Sequence, residues 1–279
     1  MSDIFVSTDW LAQHLKSPDV AIVDASWYLP NAGRDAHAEY LASHIPGAVF
    51  FDIDAIADRT TDLPHMLPTA ADFARMVGAL GIADGMTIVV YDEQGLFSAP
   101  RVRWTFRIMG APNVKILAGG GAKWRAEHRP VEKGAVTRPP AHFAAKLDPK
   151  AVVDFATVDH RRRDTETTIV DARPSPRFKG EAAEPRPGLK SGHIPGSLNV
   201  PSGALVADGQ LRSPEELRKI FAEAGVDLET QLITSCGSGI TAAVVALGLE
   251  AVGVKGVAIY DGAWAEWGCH PDAEVATDV

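Results

Sequence analysis

The chain has 279 residues, more than one compact core usually holds, so two domains of roughly 100 to 150 residues are expected. Hydrophobic residues make up 46% and charged residues 23%, as in ordinary globular proteins, and a net charge of -9 argues against a nucleic-acid partner, because phosphate recognition needs concentrated positive surface. No run of about 18 apolar residues is available to cross a bilayer, and two cysteines without zinc-like Cys/His spacing suggest neither a disulfide framework nor a metal site.

In chain order, Met1-Ser2-Asp3-Ile4-Phe5 lacks the basic start and apolar core of an export signal, and Trp10 to Leu15 already reads as a folded amphipathic segment. A cytoplasmic location is expected. Val23-Asp24-Ala25 is followed by His44-Ile45-Pro46-Gly47 and then by a long loop, Asp54 to Pro68, that contains His65. Thr69 to Gly81 reads as a helix: Thr69 caps it, Asp72 sits at the third position, Phe73, Met76, Val77 and Leu80 form one apolar face, and Gly81 stops it. Thr87 to Tyr91 reads as a buried strand running into Asp92, and Ala118-Gly119 and Trp124 follow. The stretch from about residue 129 to 149, with Arg138-Pro139-Pro140 and Asp148-Pro149, reads as a linker.

The same order is then written again. Val170-Asp171-Ala172 and His193-Ile194-Pro195-Gly196 repeat the first two motifs at offsets of 147 and 149. Ser213 to Gly225 repeats the capped helix at offset 144, with Pro214 at the first helical position, Glu216 completing a capping box, and Leu217, Ile220, Phe221 and Ala224 on one face. The same offset carries Thr87–Tyr91 onto Gln231–Ser235 and puts Asp92 opposite Cys236, while Asp261-Gly262 and Trp267 answer Ala118-Gly119 and Trp124 at offset 143. Strands alternating with helices, twice, give an α/β protein of two tandem domains, each with a central, mainly parallel sheet flanked by helices. The expected boundaries are 1–137, a linker over 138–149, and 150–279.

The repeat breaks at informative places. The segment between the His-Ile-Pro-Gly turn and the capped helix is five residues longer in the first copy and holds His65; the segment before the turn is two residues longer in the second copy and holds Arg177 and Arg186. His44 and His193 recur in both copies and read as structural, as do Asp24 and Asp171, expected to anchor backbone N–H groups at strand ends. Cys269 has no surrounding cradle and reads as a bystander open to oxidation.

The strand Leu232–Ser235 runs into Cys236-Gly237-Ser238-Gly239-Ile240-Thr241 and then into the apolar segment Ala242 to Leu249. This puts Cys236 at the N-terminus of a buried helix, where unpaired amides and the helix dipole favour a thiolate. Gly237 and Gly239 permit a tight turn in which several amides converge on the sulfur or on a second sulfur bound to it. The bland alternative is a small buried hydrophobe. A phosphatase would need an arginine at the end of this loop, and Ala242 stands there.

With these residues the chain resembles the rhodanese family: tandem copies, an inactive first copy with Asp92 at the nucleophile position, and an active second copy with a six-residue loop. Cys-Gly-Ser-Gly-Ile-Thr-Ala is similar to the Cys-Gly-Ser/Ala-Gly-Val-Thr-Ala signature of the 3-mercaptopyruvate sulfurtransferase branch, with Ile240 in place of valine; the thiosulfate-using branch carries basic residues after the cysteine. The resemblance implies a cofactor-free sulfurtransferase that passes sulfur from 3-mercaptopyruvate through a Cys236 persulfide to cyanide, thioredoxin or another small dithiol. It implies a grip on the donor by Arg177 and Arg186 beside the loop residues Gly237, Gly239, Ile240 and Thr241. It also implies a relay in which Asp54 orients His65 and His65 polarises Ser238.

On position alone, Arg177 and Arg186 read equally well as loop arginines paired with Glu181 or Glu184. Equally, His65 could simply hold its loop, and Ser238 could donate to substrate without a base. The rival functions are a thiosulfate:cyanide sulfurtransferase and a non-enzymatic sulfur carrier.

Overall fold

The computed structural model describes residues 4–278; Met1 to Asp3, the start of the segment read as no export signal, lie outside the described residues. The chain forms two compact units. One comprises 1–59, 67–148 and 208–210, and the other 60–66, 149–207 and 211–279.

The first unit holds β1 (Phe5–Val6), β2 (Val20–Asp24), β3 (Val49–Phe50), β4 (Thr87–Tyr91) and β5 (Val114–Leu117), with α1 (Thr8–His14), α2 (Ala36–Ala42), α3 (Ala70–Ala79), α4 (Ala99–Ile108) and α5 (Gly120–Ala126). The second holds β6 (Val152–Val153), β7 (Thr167–Asp171), β8 (Leu198–Asn199), β11 (Gln231–Ser235) and β12 (Ala258–Tyr260), with α6 (Phe155–Arg161), α7 (Ser175–Lys179), α8 (Pro214–Glu223), α9 (Ala242–Ala251) and α10 (Ala263–Trp267). A separate two-stranded sheet joins β9 (Val206–Ala207) to β10 (Gln210–Leu211).

Both five-stranded sheets have one topology, β1-β5-β4-β2-β3 and β6-β12-β11-β7-β8, and every pairing whose register is known is parallel. Parallel strands need crossovers, and helices supply them, so the central strands are covered on both faces and read as continuous apolar runs. In the first unit Leu11, Ile22, Ile45, Val89, Tyr91 and Trp124 make the core; in the second it is Val158, Ile169, Ile194, Ile233, Tyr260 and Trp267. Of the stretch read as a linker, 138–149, residues 138–148 lie along the first unit: the amides of Ala141, Lys146 and Asp148 donate to the carbonyls of Gly78, Met109 and Ile108.

The predicted helices form where their caps stand. Ser213 and Glu216 make the reciprocal capping box at the head of α8, and Thr69 accepts from the Asp72 amide at the head of α3. Leu217 and Phe221 on one, Phe73 and Val77 on the other, are fully buried. Helix α9 is apolar all round and almost wholly buried, which fixes the loop before it against the sheet. Among the described residues, no helix is long and apolar enough to cross a membrane.

Candidate functional site

Strand β11 lies between β12 and β7, and it delivers Cys236 to the carboxyl edge of the sheet, where open parallel sheets present their ligand crevices. Cys236 is 1% exposed, and its neighbours Ser238 and Ile240 are also buried. Gly239 adopts φ +80°, a left-handed conformation that turns the loop back toward α9. Two loop carbonyls are held by α10: Cys236 O accepts from the Trp264 amide and Gly237 O from the Ala265 amide, each at 2.9 Å. Among the described residues, the amides of Ser238, Thr241 and Ala242 donate to no group.

The first copy shows what such a loop does with an anion. Asp92, at the end of β4, accepts from the Gln94 amide on Oδ1 (3.0 Å) and from the amides of Phe97, Ser98 and Ala99 on Oδ2 (2.8 to 2.9 Å). At offset 144, the first three of these correspond to Ser238, Thr241 and Ala242. Burial pushes the Asp92 carboxyl above the ordinary aspartate range, against the pull of those amides.

Arg177, on α7, is packed over the cysteine loop: a Cβ on Gly237 would lie 2.9 Å from Arg177 Nη2. Its fork is held by Glu184, with Nε donating to Oε1 at 3.2 Å and Nη2 donating to Oε2. Glu184 also accepts from Arg173 Nη1 at 2.8 Å. Arg173 donates in turn to both oxygens of Asp171 and to Gly192 O, and its guanidinium lies 4.2 Å from the Trp264 ring centroid. Burial works against the Arg173 charge, but Asp171 and Glu184 outweigh it and leave the pKa above the ordinary arginine value. The side chains of Asp171, Arg173 and Glu184 are all buried, so these linked groups form a fixed mount for Arg177. Sequence reading missed Arg173; the available signal was that Ser26 stands in its place in the first copy.

His65 belongs to the second unit with the short segment 60–66 and is buried at φ +61°. Arg186 Nη2 lies 3.3 Å from His65 Nε2. An arginine only donates, so that nitrogen is the acceptor and the ring proton belongs on Nδ1. Asp54 lies exposed in the first unit, where its carboxylate accepts from Trp27 Nε1 at 3.0 Å.

The two repeated histidines are structural. His44 Nδ1 lies 2.8 Å from Tyr40 O and stacks on that ring; His193 Nδ1 lies 2.9 Å from Phe178 O and stacks on Phe178. Asp24 and Asp171 each accept from the amide two residues on, Ser26 and Arg173, at 2.9 Å. Cys269 is exposed and donates to the carbonyls of Ala265 and Glu266.

Comparison with known proteins agrees with this architecture. The rhodanese-like domain family matches residues 7–127 and again 155–269. A 3-mercaptopyruvate sulfurtransferase of Escherichia coli is 47% identical over 272 residues, 97% of each chain, and the Homo sapiens protein of the same name is 44% identical over 269 residues, covering 94% of this chain and 91% of its own. The crystal structure of SseA from Escherichia coli superimposes with a TM-score of 0.87 at 46% identity, covering 94% of this chain and 99% of that one. With both copies matched and both relatives aligned almost end to end, the chain belongs to the rhodanese family, in its tandem-domain branch of 3-mercaptopyruvate sulfurtransferases.

Proposed function

We propose that this protein transfers sulfur from 3-mercaptopyruvate to a thiol or cyanide acceptor through a persulfide on Cys236. The observation that carries this reading is the set of undonated amides at Ser238, Thr241 and Ala242, whose counterparts in the first copy hold the Asp92 carboxylate. A sulfur anion at the end of β11 would meet the same array. Backbone donors aimed at a fixed point stabilise charge there without rearranging during the reaction.

In the first half-reaction the Cys236 thiolate attacks the donor sulfur. A sulfur–sulfur bond forms, the carbon–sulfur bond breaks, and its electron pair leaves on carbon as the enolate of pyruvate, which takes up a proton. Arg177 and Arg186 hold the donor carboxylate and ketone, a task suited to a planar fork with parallel N–H groups. Ser238 donates a hydrogen bond at the carbonyl, and His65 holds Arg186. Gly237 leaves room for Arg177, while Gly239, Ile240 and Thr241 shape the turn that exposes the amides. In the second half-reaction an acceptor thiol, as in thioredoxin or a small dithiol, removes the outer sulfur and restores the thiolate. No cofactor enters either step.

The test is steady-state pyruvate release with 3-mercaptopyruvate and cyanide, alongside thiosulfate as donor. The reading expects turnover with a higher kcat/KM for 3-mercaptopyruvate and none in Cys236→Ser. A preference for thiosulfate, or pyruvate release by the serine variant, would overturn it.

A further inference from the structure

Glu184 does more than anchor an arginine. Its two oxygens bind two guanidinium groups, and Asp171 takes the remaining charge of the second, so Asp171, Arg173, Glu184 and Arg177 form a connected array whose formal charges cancel. Three of the four are 1 to 2% exposed at the side chain; Arg177, at 18%, is the one that opens toward solvent, and it does so against Gly237. The donor would therefore meet N–H groups in a fixed fork whose charge Glu184 already offsets.

That arrangement bears differently on donors of different charge. Hydrogen bonds from Arg177 reward any oxygen placed in line with them. The Coulomb contribution instead scales with the product of charges, so one added positive charge at the site favours a dianion twice as much as a monoanion. Cancelling the charge keeps the directional grip and removes the advantage of the second negative charge.

We propose that Glu184 is a specificity-determining residue, which by neutralising Arg177 beside the cysteine loop sets the preference for a monoanionic mercapto-acid over a dianionic donor such as thiosulfate. This inference rests on the reading of Cys236 as the sulfur-carrying nucleophile. It adds a residue that touches no donor and acts through the potential at Arg177.

The experiment compares kcat/KM for 3-mercaptopyruvate and for thiosulfate, with cyanide as acceptor, in the wild-type protein, Glu184→Gln, Arg173→Met and the double variant. Glutamine keeps the shape of Glu184 and one acceptor while removing its charge. The thiosulfate to 3-mercaptopyruvate ratio should rise about tenfold in Glu184→Gln, the order expected for one charge interaction in a partly buried site, and the rise should shrink with added salt. Arg173→Met removes a positive charge instead, so its ratio should fall; the double variant, balanced again, should return toward wild type.

Equal loss with both donors, or an unchanged ratio, would show that Glu184 only holds the fold and would overturn the proposal. Should Glu184→Gln fail to fold, Arg173→Met carries the same test with opposite sign, and a ratio that stays level or rises overturns it. The underlying reading fails separately, if the wild-type protein releases no pyruvate or Cys236→Ser still does.

Discussion

Asp92 and Cys236 stand at the same point of two copies of one sheet, each at the end of the central strand and before the helix that crosses back. In the first copy the carboxyl group is bound by four amides; in the second, the matching amides of Ser238, Thr241 and Ala242 donate to no group among the described residues. The duplication thus provides its own control. One copy shows the cradle occupied by a carboxyl group, and in the proposed reaction a sulfur anion would take that place in the other.

Gly237 is where the loop and the arginine mount meet. A methyl group there would lie 2.9 Å from Arg177 Nη2, the far end of a side chain rather than backbone. Gly237→Ala should therefore fold normally but push the guanidinium aside. The kcat/KM for 3-mercaptopyruvate should drop about tenfold, mostly through KM, as for loss of one charge-assisted hydrogen bond. Unchanged KM would mean that Arg177 does not bind the donor from this position.

His65 separates two roles by the kinetic constant it moves. Its Nε2 faces Arg186, where a residue that positions that arginine would stand. His65→Asn is the informative variant, since asparagine tolerates the positive φ found there. Raised KM with kcat within about twofold supports positioning, because lost ground-state and transition-state binding are then equal. A fall in kcat of about a hundredfold with KM unchanged is the signature of a general base.

Asp92 gives the first unit a pH dependence of definite sign. Its folded pKa is raised by burial above the unfolded value, so the stability that its proton contributes is fully present below the ordinary aspartate pKa and is lost as pH rises through the folded one. On acidification from neutral toward that window, the wild-type protein should gain stability relative to Asp92→Asn, by about 1.4 kcal/mol for each unit of raised pKa. Urea unfolding of both proteins across the window checks this. Parallel curves, or a wild-type protein that loses ground as pH falls, would contradict it.

Much of the fold is written in local signals. The runs Thr87–Tyr91 and Gln231–Ser235 become strands with those bounds, because short apolar stretches between turn residues have few alternatives, and Thr69 and Ser213 start their helices because each satisfies an orphan amide. The arginine mount was not legible in the same way. Arg173 reads as an ordinary loop residue, and its burial depends on Glu184 in the next loop and on Trp264, which lies far from it in sequence. The Arg177–Glu184 pair looked like an alternative to a binding role; the structure has the pair and the approach to Gly237 together. The same holds for His65 and Arg186, joined across 121 residues by a contact that no periodicity reports.

The central claim is that Cys236 itself carries the transferred sulfur, and a single-turnover measurement addresses it most directly. The reduced protein is mixed with 3-mercaptopyruvate without acceptor, and intact mass, the mass of the Cys236 peptide and released pyruvate are read together. One added sulfur per chain on Cys236, matched by one pyruvate and removed by a dithiol, is the expected result. Pyruvate release with sulfur on Cys269, or on no residue, would contradict the account.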